Sequence, residues 1–218
     1  MSSTIPFARA GVLALLLALT GCASTQPLPY SDIASSPKLA PNPQSGRIPY
    51  RYDSKVDWSQ YSAMLIDRVE VYRGTDAQFE DISEDEKTAL ALYMQSTFED
   101  RLASRFKLVQ NADKHALRLK LTLTGAEKST QGMSTILHFD IAGGLYNVVQ
   151  AVRGGQPAAT GSVSYAVEIY DATNNRLLSA YVTKRYPRAM NVAASFGALH
   201  AARSGIERGA TALRDELQ

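Results

Sequence analysis

The chain has 218 residues, with 23 Lys and Arg against 21 Asp and Glu, three histidines and a single cysteine. So even a balance leaves no basic patch or stripe for nucleic acid, and one cysteine cannot close a disulfide within the chain. The folded part therefore stands on its apolar core, and the length suits one domain plus a tail.

The N-terminus, "MSSTIPFAR", carries one positive side chain, Arg9, and no acid; Ala10 to Leu19 is then apolar apart from Gly11. That run is shorter than the roughly 20 apolar residues a membrane-spanning helix needs. Positive region, apolar region and small residues are the layout of a secretory signal over residues 1–21. Its end, Leu19-Thr20-Gly21-Cys22, resembles the bacterial lipobox. Small residues at Thr20 and Gly21 let the backbone lie extended in a protease cleft. The Cys22 thiol takes a diacylglyceryl group, and the amino group freed by cleavage takes a further acyl chain. The resemblance thus implies an N-palmitoyl, S-diacylglycerol cysteine at Cys22. Each buried methylene adds about 0.8 kcal/mol, so two or three chains hold a protein on a membrane where one is marginal. An ordinary signal peptide with an incidental cysteine is the alternative. The position of Cys22, the four-residue match and the lack of any other cysteine weigh against it. Ala23 is not the aspartate that retains many lipoproteins at the inner membrane, which implies an outer-membrane anchor and a periplasmic domain.

From Ala23 to Tyr50 the chain holds Pro27, Pro29, Pro37, Pro41, Pro43 and Pro49, six of its nine prolines, with serines between them. Proline fixes φ and removes a backbone donor, and the apolar residues here follow no period. Residues 22–56 are therefore predicted as a lipidated, disordered linker, with the domain over 57–218. Such a tether spans roughly 30 Å as a coil and at most about 105 Å when extended.

Trp58 to Tyr72 is rich in β-formers and predicts the first strand, broken at Asp67-Arg68 where the alternation fails. Trp58 and Tyr61 are expected to plug the end of the core rather than stack on a ligand. Ser83 with Glu86 forms a capping-box pattern, and Leu90, Tyr93, Met94, Thr97, Phe98 and Leu102 share one face, predicting a helix over Glu84 to Arg105. A short strand, "FKLVQ", follows. "ALRLKLTLTG" alternates Leu117, Leu119, Leu121 and Leu123 with Arg118, Lys120, Thr122 and Thr124, predicting a strand with one wet face. "HFDIAGGLYNVVQAVRGG" reads as a helical segment hinged by glycine pairs. "GSVSYAVEIY" and "LLSAYVT" flank the turn residues "DATNNR" as a hairpin. Asn191 to Leu217 predicts a terminal helix packing on its own sheet, its apolar stripe interrupted by Arg203; a coiled-coil seam with a partner is the alternative. The order β-α-β-β-(α)-β-β-α predicts a single α+β domain with a mostly antiparallel sheet and packed helices.

Several of these features in order resemble an uncharacterised family of proteobacterial envelope lipoproteins, the domain of unknown function 3313. They are the lipobox, the Trp58-x-x-Tyr61 opening of the first strand, "ISEDEKTAL", "ALRLKLTLT", the "TGSVSYAVEIYDATNNRLLSAYV" hairpin and its turn at Asp171. The resemblance runs from about Trp58 to Thr183 and implies an envelope lipoprotein without implying an activity.

Sequence motifs for chemistry are few. His138 and Asp140 lack a third ligand, and zinc draws at least three. Neither "GLYNVVQ" nor "ASFGALH" forms a nucleophile elbow. The acids Asp76, Glu80, Asp81, Glu84, Asp85 and Glu86 lack EF-hand spacing and lie where a helix N-terminus favours negative charge. The glycine pairs at 143–144 and 154–155 are not followed by Lys-Ser/Thr as in a phosphate loop. The expectation is a non-catalytic component of envelope assembly, maintenance or transport, without cofactor or metal. Its partners would be the membrane, through the anchor, and an envelope protein or peptidoglycan. The alternative is an envelope-directed hydrolase with dispersed site residues.

Overall fold

The computed structural model describes residues 26–111, 114–129, 161–186 and 198–218. In chain order its elements are strands β1 (Ala40–Pro41), β2 (Tyr50–Asp53), β3 (Ala63–Ile66), β4 (Glu70–Val71) and β5 (Gln78–Glu80), then helix α1 (Glu84–Leu102). Strands β6 (Lys107–Leu108), β7 (Ala116–Glu127), β8 (Ser162–Asp171) and β9 (Leu177–Arg185) follow, and helix α2 (His200–Glu216) closes the chain. All the strands join one sheet in the order β1-β2-β9-β8-β7-β3-β6, with β4 and β5 continuing along β7 beyond β3. The long ladders from β2 to β7 are antiparallel; the short ones that β3, β4 and β5 make with β7 are parallel. The domain is α+β, as the sequence order predicts.

The alternation in β7 sets the register. Leu117, Leu119, Leu121 and Leu123 are all fully buried, and three of them face Ile169, Val167 and Tyr165 of β8 directly. A one-residue slip would turn every one of these leucines to the opposite face. Above them lies α1, which starts at a complete capping box between Ser83 and Glu86 and buries Leu90, Ala91, Met94, Phe98 and Leu102. Its last residue is Leu102, three before the predicted end. Helix α2 completes the layer, burying Ala201, Ala202, Gly205, Ile206, Gly209, Ala210 and Leu213 against α1 and β8. Arg203, the break in the apolar stripe, is exposed and sits over the Tyr93 ring with its guanidinium carbon 5.3 Å from the centroid. The helix thus packs on its own sheet; it begins at His200 after a turn at 198–199, and residues 191–197 of the predicted span lie outside the described residues.

The predicted break in the first strand is present: β3 stops at Ile66 and β4 resumes at Glu70. At the break, Asp67 accepts two hydrogen bonds from Arg118 Nε, at 3.1 and 2.9 Å. Trp58 and Tyr61 plug one end of the core, with Tyr61 buried and donating its hydroxyl to Asp171 at 3.0 Å. The segment 138–155 lies outside the described residues.

Two expectations fail for one reason. The linker predicted over 22–56 is, from residue 26, packed on the face of the sheet away from the helices. Tyr30 is fully buried, Ile33 nearly so, and both cluster with Tyr72, Ala166 and Val182. Further on, β2 pairs with β9 from Tyr50 to Asp53. The same segment closes much of the face of β7 expected to be wet: Thr122 and Thr124 are buried, while Arg118 and Lys120 stay partly exposed. Prolines made this stretch look solvated, yet proline is compatible with the turns that lay it over the sheet, and Pro37 sits in the first turn of a short 3-10 helix, Ser36–Lys38. Tyr30 and Ile33 supply its buried side chains in the cluster with Tyr72, Ala166 and Val182.

Candidate functional site

The strap formed by residues 26–39 is stitched to the sheet by specific bonds. Tyr30 Oη donates to Gln78 Oε1 at 3.1 Å, and Gln78 Nε2 donates to the Gln26 carbonyl at 2.9 Å. The Ser31 amide donates to Asp76 at 3.0 Å, and Tyr72 Oη donates to the same carboxylate at 2.6 Å. Burial pushes the Tyr30 phenol up to about 12, so it stays a donor. Tyr72 is shifted the same way by burial and by its bond to Asp76.

Where the strap crosses the sheet it leaves a cleft of about 290 Å³, lined by Asp32, Ile33, Glu70 to Gly74, Lys120, Thr122 and Glu168. Its floor is Glu168, on β8, only 1% exposed. Glu168 Oε1 accepts the Ser35 amide and the Tyr170 hydroxyl, both at 2.9 Å. Burial, then the charge on Glu168, raises the Tyr170 phenol above its ordinary value and keeps it donating. Glu168 Oε2 is buried and accepts no hydrogen bond among the described residues. Lys120 stands directly across the ladder from Glu168, but its ammonium goes to Glu70, at 3.3 Å. Arg73 pairs with Glu84 at 3.1 Å. A buried carboxylate oxygen without a donor is costly, and the residue that carries it lines an open cleft.

Glu168 was missed in the sequence because "GSVSYAVEIY" alternates through Val163, Tyr165, Val167 and Ile169, which puts Glu168 on the face opposite these apolar residues. The available signal was the small residues Ser164 and Ala166 on that same face, which leave room for a covering segment. The lipidation residues Leu19, Thr20, Gly21 and Cys22 lie outside the described residues, as do His138, Asp140 and both glycine pairs. Three of the acids near the start of α1 have structural partners: Asp76 holds the strap, Glu86 closes the capping box, and Glu84 pairs with Lys87 at 2.6 Å. Among the described residues no three His, Cys, Asp or Glu side chains converge as a metal site requires. No helix among them is long and apolar enough to cross a membrane.

No curated protein matches the chain significantly. Among solved structures it is similar to the PelC dodecamer from Paraburkholderia phytofirmans, at 12% identity and a TM-score of 0.38, over 75% of this chain and 94% of that one. A DUF330 protein from Xanthomonas campestris shows 14% identity and a TM-score of 0.33, covering 81% of this chain and 88% of its own. A DUF4136 family protein from Bacteroides thetaiotaomicron VPI-5482 shows 12% identity and a TM-score of 0.35, covering 77% and 95%. These likenesses are too slight to transfer anything from one chain to another. The family assignment is firmer, since one family model matches residues 29–213, a span that takes in most of the strap, all of α1 and α2 as far as Leu213. The chain belongs to the family described as protein of unknown function, DUF3313.

Proposed function

We propose that the protein is an outer-membrane lipoprotein, acylated at Cys22, whose periplasmic domain serves envelope assembly, maintenance or transport by binding an envelope protein or the cell wall rather than by catalysis. Support for binding comes from the polar groups of the strap cleft. Tyr72 is tied to Asp76, Lys120 to Glu70 and Arg73 to Glu84, and among the described residues lining the cleft the one buried acceptor left open is Glu168 Oε2. Groups fixed in this way present a shaped, charged recess; burial also keeps the nearest phenol, Tyr72, protonated and a poor nucleophile. The lipobox at Leu19 to Cys22 supports the anchor.

Three measurements test the reading. A photo-crosslinking residue at exposed Asp32, on the rim of the cleft, should capture a defined envelope partner in cells. Metabolic palmitate should label the unmodified protein and not Cys22→Ser, because the serine hydroxyl cannot replace the thiol in lipid transfer. Turnover of peptidoglycan or lipid by the purified protein, abolished in Glu168→Gln, would overturn the binding reading in favour of a hydrolase.

A further inference from the structure

We infer that the strap cleft is a binding site for an alkylammonium group, with Glu168 Oε2 as its buried acceptor. The inference rests on the reading that the cleft binds rather than transforms.

Charge comes first. The lining holds three acids, Asp32, Glu70 and Glu168, and two bases, Arg73 and Lys120. Both bases are engaged, Lys120 with Glu70 inside the cleft and Arg73 with Glu84 outside it. Glu168 forms no ion pair among the described residues, although it is nearly inaccessible to solvent. Its two hydrogen bonds both go to Oε1, so the second oxygen has neither water-facing surface nor protein donor. A donor carrying positive charge satisfies that oxygen best, since charge-assisted bonds are about twice as strong as neutral ones.

Shape narrows the choice. Ile33 and Val71 give the cleft an apolar wall beside the carboxylate, which suits an aliphatic stem with the charge at its tip. A volume of about 290 Å³ admits a short stem, given that a water occupies about 30 Å³ in the liquid. A quaternary ammonium has no N–H to give to Oε2, and aromatic cages suit it better. The matching chemistry is therefore a primary ammonium on a short methylene chain. It has two sources, a free diamine or the side chain of a diamino acid held within a peptide.

The test titrates the purified full chain with 1,5-diaminopentane, with Nα-acetyl-lysine methylamide, and with 1,5-pentanediol as the neutral isostere. Binding is read by calorimetry and by the ¹³C shift of the Glu168 carboxyl group. An amine should bind and move that resonance while the diol does neither, and Kd should rise at least tenfold in Glu168→Gln. Glutamine keeps an Oε1 to accept from Ser35 and Tyr170, so that variant should fold; if it does not, the carboxyl shift in the unmodified protein decides. Preference for the diamine assigns a free diamine, and preference for the lysine derivative assigns a peptide side chain. The inference is overturned if neither amine binds, if the diol binds equally, or if only Lys120→Met binds, since Lys120 would then be the partner of Glu168 itself. A crosslinked partner found without amine binding would sink this inference and leave the binding function standing.

Discussion

Gly209 of α2 lies so close to Tyr165 of β8 that a Cβ at position 209 would stand 1.7 Å from the phenolic oxygen. Tyr165 cannot yield. It is fully buried and packs edge-on against Phe98, with ring centroids 6.0 Å apart and planes at 84°. Gly205, one turn earlier, is likewise confined by Val163 and the Arg185 backbone. These two glycines let α2 settle onto β8, bringing Ile206 and Leu213 into the core. Gly209→Ala should therefore lower stability by about 1–3 kcal/mol, the usual cost of overpacking, despite the better helix propensity of alanine. Gly46→Ala, where a Cβ meets nothing within 4 Å, serves as the control and should melt like the unmodified protein. Equal melting temperatures for the two variants would remove the close-approach argument.

The register of β7 gives a second expectation. Leu121 is fully buried in the helix-facing core, and Leu121→Asp places an unpaired charge there. That protein should fail to fold, or melt far below the unmodified one. Lys120→Met, on the opposite face, loses only a partly exposed ion pair to Glu70 and should cost no more than about 1 kcal/mol. Lys120→Asp is a poorer probe, because it would set a third carboxylate beside Glu70 and Glu168. Far-UV circular dichroism with thermal melts checks both, and comparable stability for Leu121→Asp and Lys120→Met would show the register to be wrong.

Legibility followed the strength of local patterning. The leucine alternation of β7, the Ser83–Glu86 box and the break at Asp67 are all written within a few residues of themselves, so they could be read directly. Packing across distance could not. Tyr30 and Ile33 carry the strap, yet in the sequence they are two apolar residues among prolines and serines, and what docks them lies up to about 150 positions away at Ala166 and Val182. The cleft depends on that docking, so it was invisible for the same reason. Glu168 is enclosed only because a remote segment covers it.

Acid should act on the turn after β8. Burial works to raise the pKa of Asp171, but hydrogen bonds from the Thr173 amide, the Tyr61 hydroxyl and the Asn174 amide outweigh it and hold the carboxyl below its ordinary 3.8. A carboxylate with a depressed folded-state pKa adds stability above its unfolded value and loses it as pH falls through the folded one. The Asp171 contribution is thus complete at pH 5 and fades below about pH 4. Asp171→Asn, which has no such titration, should show a shallower loss of stability between pH 5 and pH 3. Urea titrations at stepped pH read this directly, and parallel curves for the two proteins would mean that Asp171 contributes no linkage.

The strap makes the most direct prediction about how the domain is held. A flexible tether over 22–56 would tolerate deletion of Pro27 to Gln44 without loss of folding. In the structure that deletion removes Tyr30, Ile33, Ser35 and β1 together, uncovering Ala166, Val182 and Glu168. Truncating one large buried aromatic costs about 3–5 kcal/mol, so Tyr30→Ala alone should lower the melting temperature by roughly 10 °C, and the deletion should do at least as much. Rapid proteolysis near residue 30 in Tyr30→Ala, absent in the unmodified protein, would show the strap lifting. An unchanged melting temperature for the deletion would restore the tether and its reach of tens of ångströms. Docking of the strap also shortens the leash. Only four peptide steps separate Cys22 from Gln26, at most roughly 14 Å of chain. With lipid on Cys22, exposed Leu28 and its surroundings would then stand at the bilayer surface. Energy transfer from a fluorophore at position 28 to labelled lipid headgroups should accordingly be strong in nanodiscs. Weak transfer would mean that the strap has come away from the sheet, or that the anchor is not at Cys22, and palmitate labelling of the same preparation separates those two outcomes.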